Sequence, residues 1–133
     1  MITSPYQKYQ QTQLQTASPS QLLLMLYDGA IRFIRMGTAG IEERDYEKSN
    51  LYLCKAQAVI HELIAALNYD YPIAKNLYQV YEYMLHRLIQ ANLKKEQQPA
   101  QEVLSYLQDL REAWEVAGKS ASGKAESVYD KQS

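Results

Sequence analysis

The sequence predicts an all-α protein: an antiparallel up-down four-helix bundle, with a flexible N-terminal arm and a disordered C-terminal tail. Three observations carry this reading. Four segments place apolar residues three and four positions apart, each begins at a proline or a helix-capping residue, and the links between them are short and polar. Long helices joined by short turns must run antiparallel, each beside the one before it. No segment alternates apolar and polar residues with period two, there is no internal repeat, and no heptad run is long enough for an extended coiled coil. At 133 residues the chain is one domain, large enough to bury about two-thirds of its unfolded surface without disulfides. The expected parts are an arm over residues 1–17, a bundle over 18–118 and a tail over 119–133.

The arm is Gln-rich and polar, with Tyr6, Tyr9 and Leu14 as its large apolar side chains beyond the terminal Met-Ile. Pro5 and the lack of a sustained stripe argue against structure of its own.

The first helix is expected from Pro19 to about Glu43, with Ser18 as N-cap, Pro19 in the first helical position and Gln21 as capping-box partner. Leu22 to Tyr27, Ala30, Ile31, Phe33 and Ile34 cover more than half of its circumference, leaving a polar strip of Gln21, Asp28, Arg32 and Arg35. A helix apolar on so many sides needs several neighbours, which makes it the spine of the bundle. Its uncharged run, Leu22–Tyr27, is far short of the roughly 20 residues of a membrane span. Leu26 and Ala30 are expected to face the interior, and Gly29 to admit a neighbouring helix. Gly37 and Gly40 are expected to weaken the last turns by about 1 kcal/mol each relative to Ala.

Asp45 caps a second helix ending near Asn68, with a seam of Leu53, Ala56, Ile60, Leu63, Ile64 and Leu67. Pro72 opens a third, lasting to about Lys94, whose seam reads Ile73, Leu77, Val80, Met84, Leu88 and Ala91. Pro99 opens the fourth, which packs through Val103, Leu107, Leu110, Trp114 and Ala117 and stops at Gly118. The tail that follows has only Val128 and Tyr129 as sizeable apolar residues.

Composition narrows the function classes. The net charge is −1, from 14 basic and 15 acidic residues, so no field favours nucleic acid or an anionic membrane. One cysteine, Cys54, excludes an internal disulfide and fits a reducing compartment. The start lacks an apolar h-region, and a cytoplasmic protein without membrane insertion is expected. Twelve tyrosines accompany one Phe and one Trp; tyrosine combines apolar area with a wettable tip, which suits surfaces that are covered only part of the time.

The seams leave apolar residues over, and these are ordered. Tyr52, Val59 and Ala66 recur by sevens on the second helix, Tyr78, Leu85 and Ile89 form a second strip on the third, and Tyr106 and Ala113 do so on the fourth. A bundle helix needs only about a 3/7 apolar face. Such residues can pad a broad core, but second strips on three helices also make grooves of the kind that receive a partner's amphipathic helix. These eight residues, with Leu63, are the candidate binding groove.

Chemistry has weaker support. Neither His61 nor His86 follows a Glu by three residues, as a di-iron bundle would require. There is no Gly-rich phosphate loop, and Cys54 lacks a nearby His or basic pair. No cofactor, metal or catalytic residue is expected. Two alternatives stay open: a histidine phosphotransfer bundle acting through His86, which projects away from the seam, and a generic helical adaptor.

Five ordered motifs resemble one family. They are Pro5-Tyr6-x-x-Tyr9; Ser18-Pro19-x-x-Leu22-x-x-Met25-Leu26-Tyr27-Asp28-Gly29-Ala30; Lys55-Ala56-Gln57-x-Val59-Ile60; Ala74-x-Asn76-Leu77-x-x-Val80-Tyr81-x-Tyr83-Met84, continuing through Arg87-Leu88-x-x-Ala91-Asn92; and Arg111-x-Ala113-Trp114. Together they resemble the flagellar export chaperone family FliS, over residues 5 to about 117. His86 stands where that family usually has a second basic residue, and Gly37 and Gly40 stand where Ala is commoner. The resemblance implies a helical bundle that binds the disordered C-terminal segment of flagellin, prevents early polymerisation and delivers the client to the export gate of the flagellar secretion apparatus. It also implies a role for Tyr6 and Tyr9 in that delivery; Leu14 is grouped with them.

Overall fold

The computed structural model describes residues 19–120. The arm with Tyr6, Tyr9 and Leu14, the Ser18 cap, and residues 121–133 lie outside the described residues. Four helices follow in order: α1 (Pro19–Glu42), α2 (Tyr46–Ala65), α3 (Pro72–Lys94) and α4 (Gln97–Ser120). There is no strand among the described residues.

The boundaries have local causes. Asp45 caps α2 through its carboxylate, which accepts the Lys48 backbone N–H at 3.1 Å. Pro72 sits in the first turn of α3, where its missing N–H costs nothing. Lys95 ends that helix in the left-handed conformation, with φ 55°. The fourth helix is longer than expected, starting two residues before Pro99 and running through Gly118 to Ser120. Proline is tolerated throughout a first helical turn, whose N–H groups have no intrahelical acceptor. Gly118 faces Ser20 of α1, with room for a methyl group 3.7 Å from its Cβ. The start of α1 and the end of α4 therefore share one end of the bundle.

Each helix packs on its neighbours in a ring, and α1 makes the two broadest interfaces, with α2 and α4. The core comprises Leu23, Tyr27, Ala30, Ile31, Ile34 and Ile41 of α1, the expected second-helix seam except Ile64, and Ala100, Val103 and Leu107 of α4, among others. Leu26, Ile64, Leu110 and Trp114 are half-buried against it.

Two expectations about α1 are reversed. Gly29 has no atom within 4 Å of where a methyl group would stand, so it admits no close approach. Gly37 and Gly40 do. A methyl group at Gly37 would lie 2.7 Å from Leu53 Cγ, and one at Gly40 would lie 2.7 Å from the Ser49 backbone nitrogen and 3.0 Å from the Asp45 carbonyl oxygen. The two glycines are the contact surface on which α2 starts, and their helix-propensity cost is set against that packing.

The α3 seam is rotated from the expected one. Ile73 and Val80 are exposed, while Tyr81 is fully buried and Leu85 retains 7% exposure. Tyr81 can be buried because its hydroxyl is hydrogen-bonded to that of Tyr27, and Trp114 Nε1 donates to Tyr27 Oη at 3.1 Å. These three side chains join α1, α3 and α4 across the bundle's centre.

Candidate functional site

Rotation of the α3 seam determines where apolar surface remains. At about 100° per residue, Ile73, Asn76, Val80 and Tyr83 share one flank of α3. That flank borders α4, and Asn76, Gln79, Val80 and Tyr83 of α3 with Tyr106, Asp109 and Leu110 of α4 line a groove of about 630 Å³. Val80, Tyr83 and Tyr106 stand 38%, 44% and 38% exposed on its walls, and Leu110 joins it to the core. Asn76, Gln79 and Asp109 give it a polar rim. The arrangement offers an apolar trough with hydrogen-bonding edges, suited to a helix or an extended segment carrying apolar side chains on one side.

One end of the groove is a hydrogen-bonded clamp. Glu102 of α4 accepts from Tyr106 Oη at 2.7 Å, Arg87 Nε at 2.7 Å and Tyr83 Oη at 2.9 Å. Arg87 also donates to Gln90 Oε1 at 2.7 Å. The Tyr106 hydroxyl, then Arg87 and Tyr83, hold the Glu102 carboxylate below its ordinary range. Donation to Glu102 in turn pushes both tyrosine hydroxyls up. The rings of Tyr83 and Tyr106 tilt against each other with centroids 6.3 Å apart. The clamp thus fixes both aromatic walls while leaving their faces accessible.

The nine groove residues expected from sequence do not form one site. Tyr106 lines this groove, and Ala113, seven residues on, is exposed along the same line of α4. Tyr78 and Ile89 are exposed on the other flank of α3, since Tyr78 is turned from Tyr83 by about 140°. Tyr52 points to α1 and stacks on Phe33, with centroids 6.1 Å apart. Val59 is half-buried against the core, and Ala66 is half-buried at the α2 C-cap. Leu63 and Leu85 lie in the core, Leu63 fully buried, because the interior faces of α2 and α3 take them in. Sequence reasoning missed Ile73, Val80, Tyr83 and Leu110 as surface candidates. Three of them had been assigned to seams, and the available signal was Tyr81, which competes with Val80 for the interior.

The remaining candidates are isolated. His86 is exposed. Cys54 is exposed beside Asn50 Oδ1 at 3.7 Å and Asn92 Nδ2 at 3.8 Å, with no activating base in those contacts. Among the described residues, no group of three or more His, Cys, Asp or Glu side chains could hold a metal ion. No helix among them is long and apolar enough to cross a membrane.

Comparison with known proteins gives one answer. A family model described as "Flagellar protein FliS" matches residues 2–121. The flagellar secretion chaperone FliS of Bacillus subtilis is 42% identical over 119 residues, covering 90% of each chain. The protein of the same name from Salmonella typhimurium is 37% identical over 110 residues, 80% of this chain and 82% of the relative. That of Vibrio cholerae is 32% identical over 106 residues, 78% of each chain.

Proposed function

The chain belongs to the FliS family of flagellar secretion chaperones, and from that premise we propose that the groove between α3 and α4 receives the C-terminal segment of flagellin. Family membership supplies the client class. What supports this location is the trough of Val80, Tyr83, Tyr106 and Leu110, left open beside the core. The client binds in the cytoplasm before export and is kept from polymerising while its apolar side chains occupy the trough. It arrives without fixed structure and orders on binding, so part of the burial energy is spent on its own entropy. Asn76, Gln79 and Asp109 supply hydrogen-bond partners for its polar groups.

The same reading assigns delivery to the export gate, with Tyr6, Tyr9 and Leu14 as the contact, and family membership is its support. Names of the relatives favour a chaperone over a phosphotransfer module acting through His86.

Calorimetric titration with a flagellin C-terminal segment tests the location. Val80→Asp places a charge in the trough at a position that contributes little to the core. It should leave the melting profile nearly unchanged and weaken binding by at least about 2 kcal/mol, the range of an interface anchor. Unchanged affinity in the folded variant would move the client elsewhere.

A further inference from the structure

We propose that the outer face of α1 and the adjoining start of α2 form a second docking surface, independent of the α3–α4 groove, for an acidic protein segment carrying a large apolar side chain. The argument starts from unpaired charge. Arg111 holds Asp28 through Nε at 2.5 Å, and Glu43 accepts from Lys48 Nζ at 3.1 Å. Asp45 is engaged in capping, and Glu47 stands in the first turn of α2, where the helix dipole favours it. Arg32, Arg35 and Lys55 have no carboxylate within ion-pair distance among the described residues.

These cations are gathered. Arg32 lies 5.3 Å and Lys55 5.7 Å from the centroid of the same Phe33 ring, and Lys55 lies 5.6 Å from that of Tyr52. Arg32 and Arg35 also border a depression of about 510 Å³, with Ile31, Met36 and Ala39 as its apolar side and with Asp28 and Lys48, already paired to Arg111 and Glu43, completing its edge. The surface therefore has two parts: an apolar seat for one large side chain edged by Arg32 and Arg35, and Lys55 over the Phe33 ring that Arg32 also overlies, cations that carboxylates can meet.

Charge selects an anionic partner, and the aromatic geometry decides which kind. Phe33 and Tyr52 are stacked on each other at 26° and overlaid by Lys55 and Arg32, so they present no free ring face for a nucleic-acid base. Arg32 and Arg35 beside an apolar depression, with Lys55 at the neighbouring Phe33 ring, fit a polypeptide with carboxylates flanking an apolar anchor. Because α1 and α2 are the helices away from the α3–α4 groove, the two surfaces can be occupied together. The protein would then link a client to a second, acidic protein.

The test uses the full chain and two fluorescein-labelled helix-forming peptides, one with Glu pairs flanking Leu residues and one with Lys in place of each Glu. The acidic peptide should bind in a salt-sensitive manner and the basic one should not. The triple variant Arg32→Glu, Arg35→Glu, Lys55→Glu should weaken the acidic peptide about tenfold or more, as expected for three exposed pairs lost together. Val80→Asp should leave this binding unchanged. If charge reversal impairs folding, Arg32→Gln with Lys55→Gln gives the same test at smaller amplitude. Equal binding of both peptides, full binding by the charge variants, loss on Val80→Asp, or no binding at millimolar peptide would each overturn the proposal. So would tighter binding of an oligothymidine that is lost in the charge variants, which would make the surface a nucleic-acid site.

Discussion

The α1–α2 seam and the α3–α4 seam are built on opposite terms. On the first, two glycines bring α2 against the backbone of α1, and Ser49 is fully buried beside them. On the second, two tyrosines and a glutamate hold the helices at arm's length, and the contact is the slightest of the four interfaces. Small residues close a seam; large amphipathic ones keep it open and wettable. The α1–α2 seam is closed by small residues, and the α3–α4 seam, where we propose that the client binds, is left open.

The strongest way to break this contrast is to place a side chain in the closed seam. Gly40→Ala sets a methyl group against the backbone of Ser49 and Asp45, which cannot yield as a side-chain tip can. It should cost about 2–3 kcal/mol by chemical denaturation. Gly29→Ala, in the same helix but facing open space, should instead gain about 0.5–1 kcal/mol from helix propensity. A similar response at both glycines would remove the case for the closed seam.

A buried bond joining the two halves comes next. Tyr81→Phe deletes the hydroxyl on the α3 side of the Tyr27–Tyr81 pair, while Trp114 still serves Tyr27. A loss of about 1–2 kcal/mol is expected in thermal melts. A neutral result would mean that the Tyr27–Tyr81 pair adds nothing to the other links between the halves, Arg111–Asp28 and Trp114–Tyr27 among them.

The smallest effect concerns the open seam's clamp. Hydrogen bonds depress the Glu102 pKa, so the clamp's contribution is present above the ordinary carboxylate value of 4.5 and is lost as pH falls through the lowered folded value. Tyr83 and Tyr106 are shifted upward, so their contribution is complete below 10.0 and is lost as pH rises through their raised values. Side-chain NMR of Arg87 Nε–H should show the acid transition in the parent and not in Glu102→Gln. An identical titration in both would assign the change to another group.

Much of the fold was legible because periodicity and capping act locally. The α2 seam, the Asp45 cap and the Pro72 start follow from sequence spacing and helix-end chemistry. The misplaced features all depend on partners distant in sequence. Val80 and Tyr81 are neighbours, and hydrophobicity favours Val80 for the interior; the hydroxyl of Tyr27, 54 residues earlier, lets Tyr81 take the place. The two functional glycines looked like defects because the α2 backbone that they accommodate is invisible to helix propensity. Surplus apolar surface on several helices was legible in the sequence, but of the nine residues expected from it only Tyr106 lines the groove between α3 and α4. Its walls could not be chosen until the rotation of α3 was known.

Amide hydrogen exchange, with and without a flagellin C-terminal segment, tests the division into closed and open halves most directly. Protection should rise along α3 from Asn76 to Tyr83 and along α4 from Tyr106 to Leu110, with α1 and α2 unchanged. Protection gained around Phe33 and Tyr52 instead, with α3 and α4 unaltered, would place the client on the closed half and contradict the account.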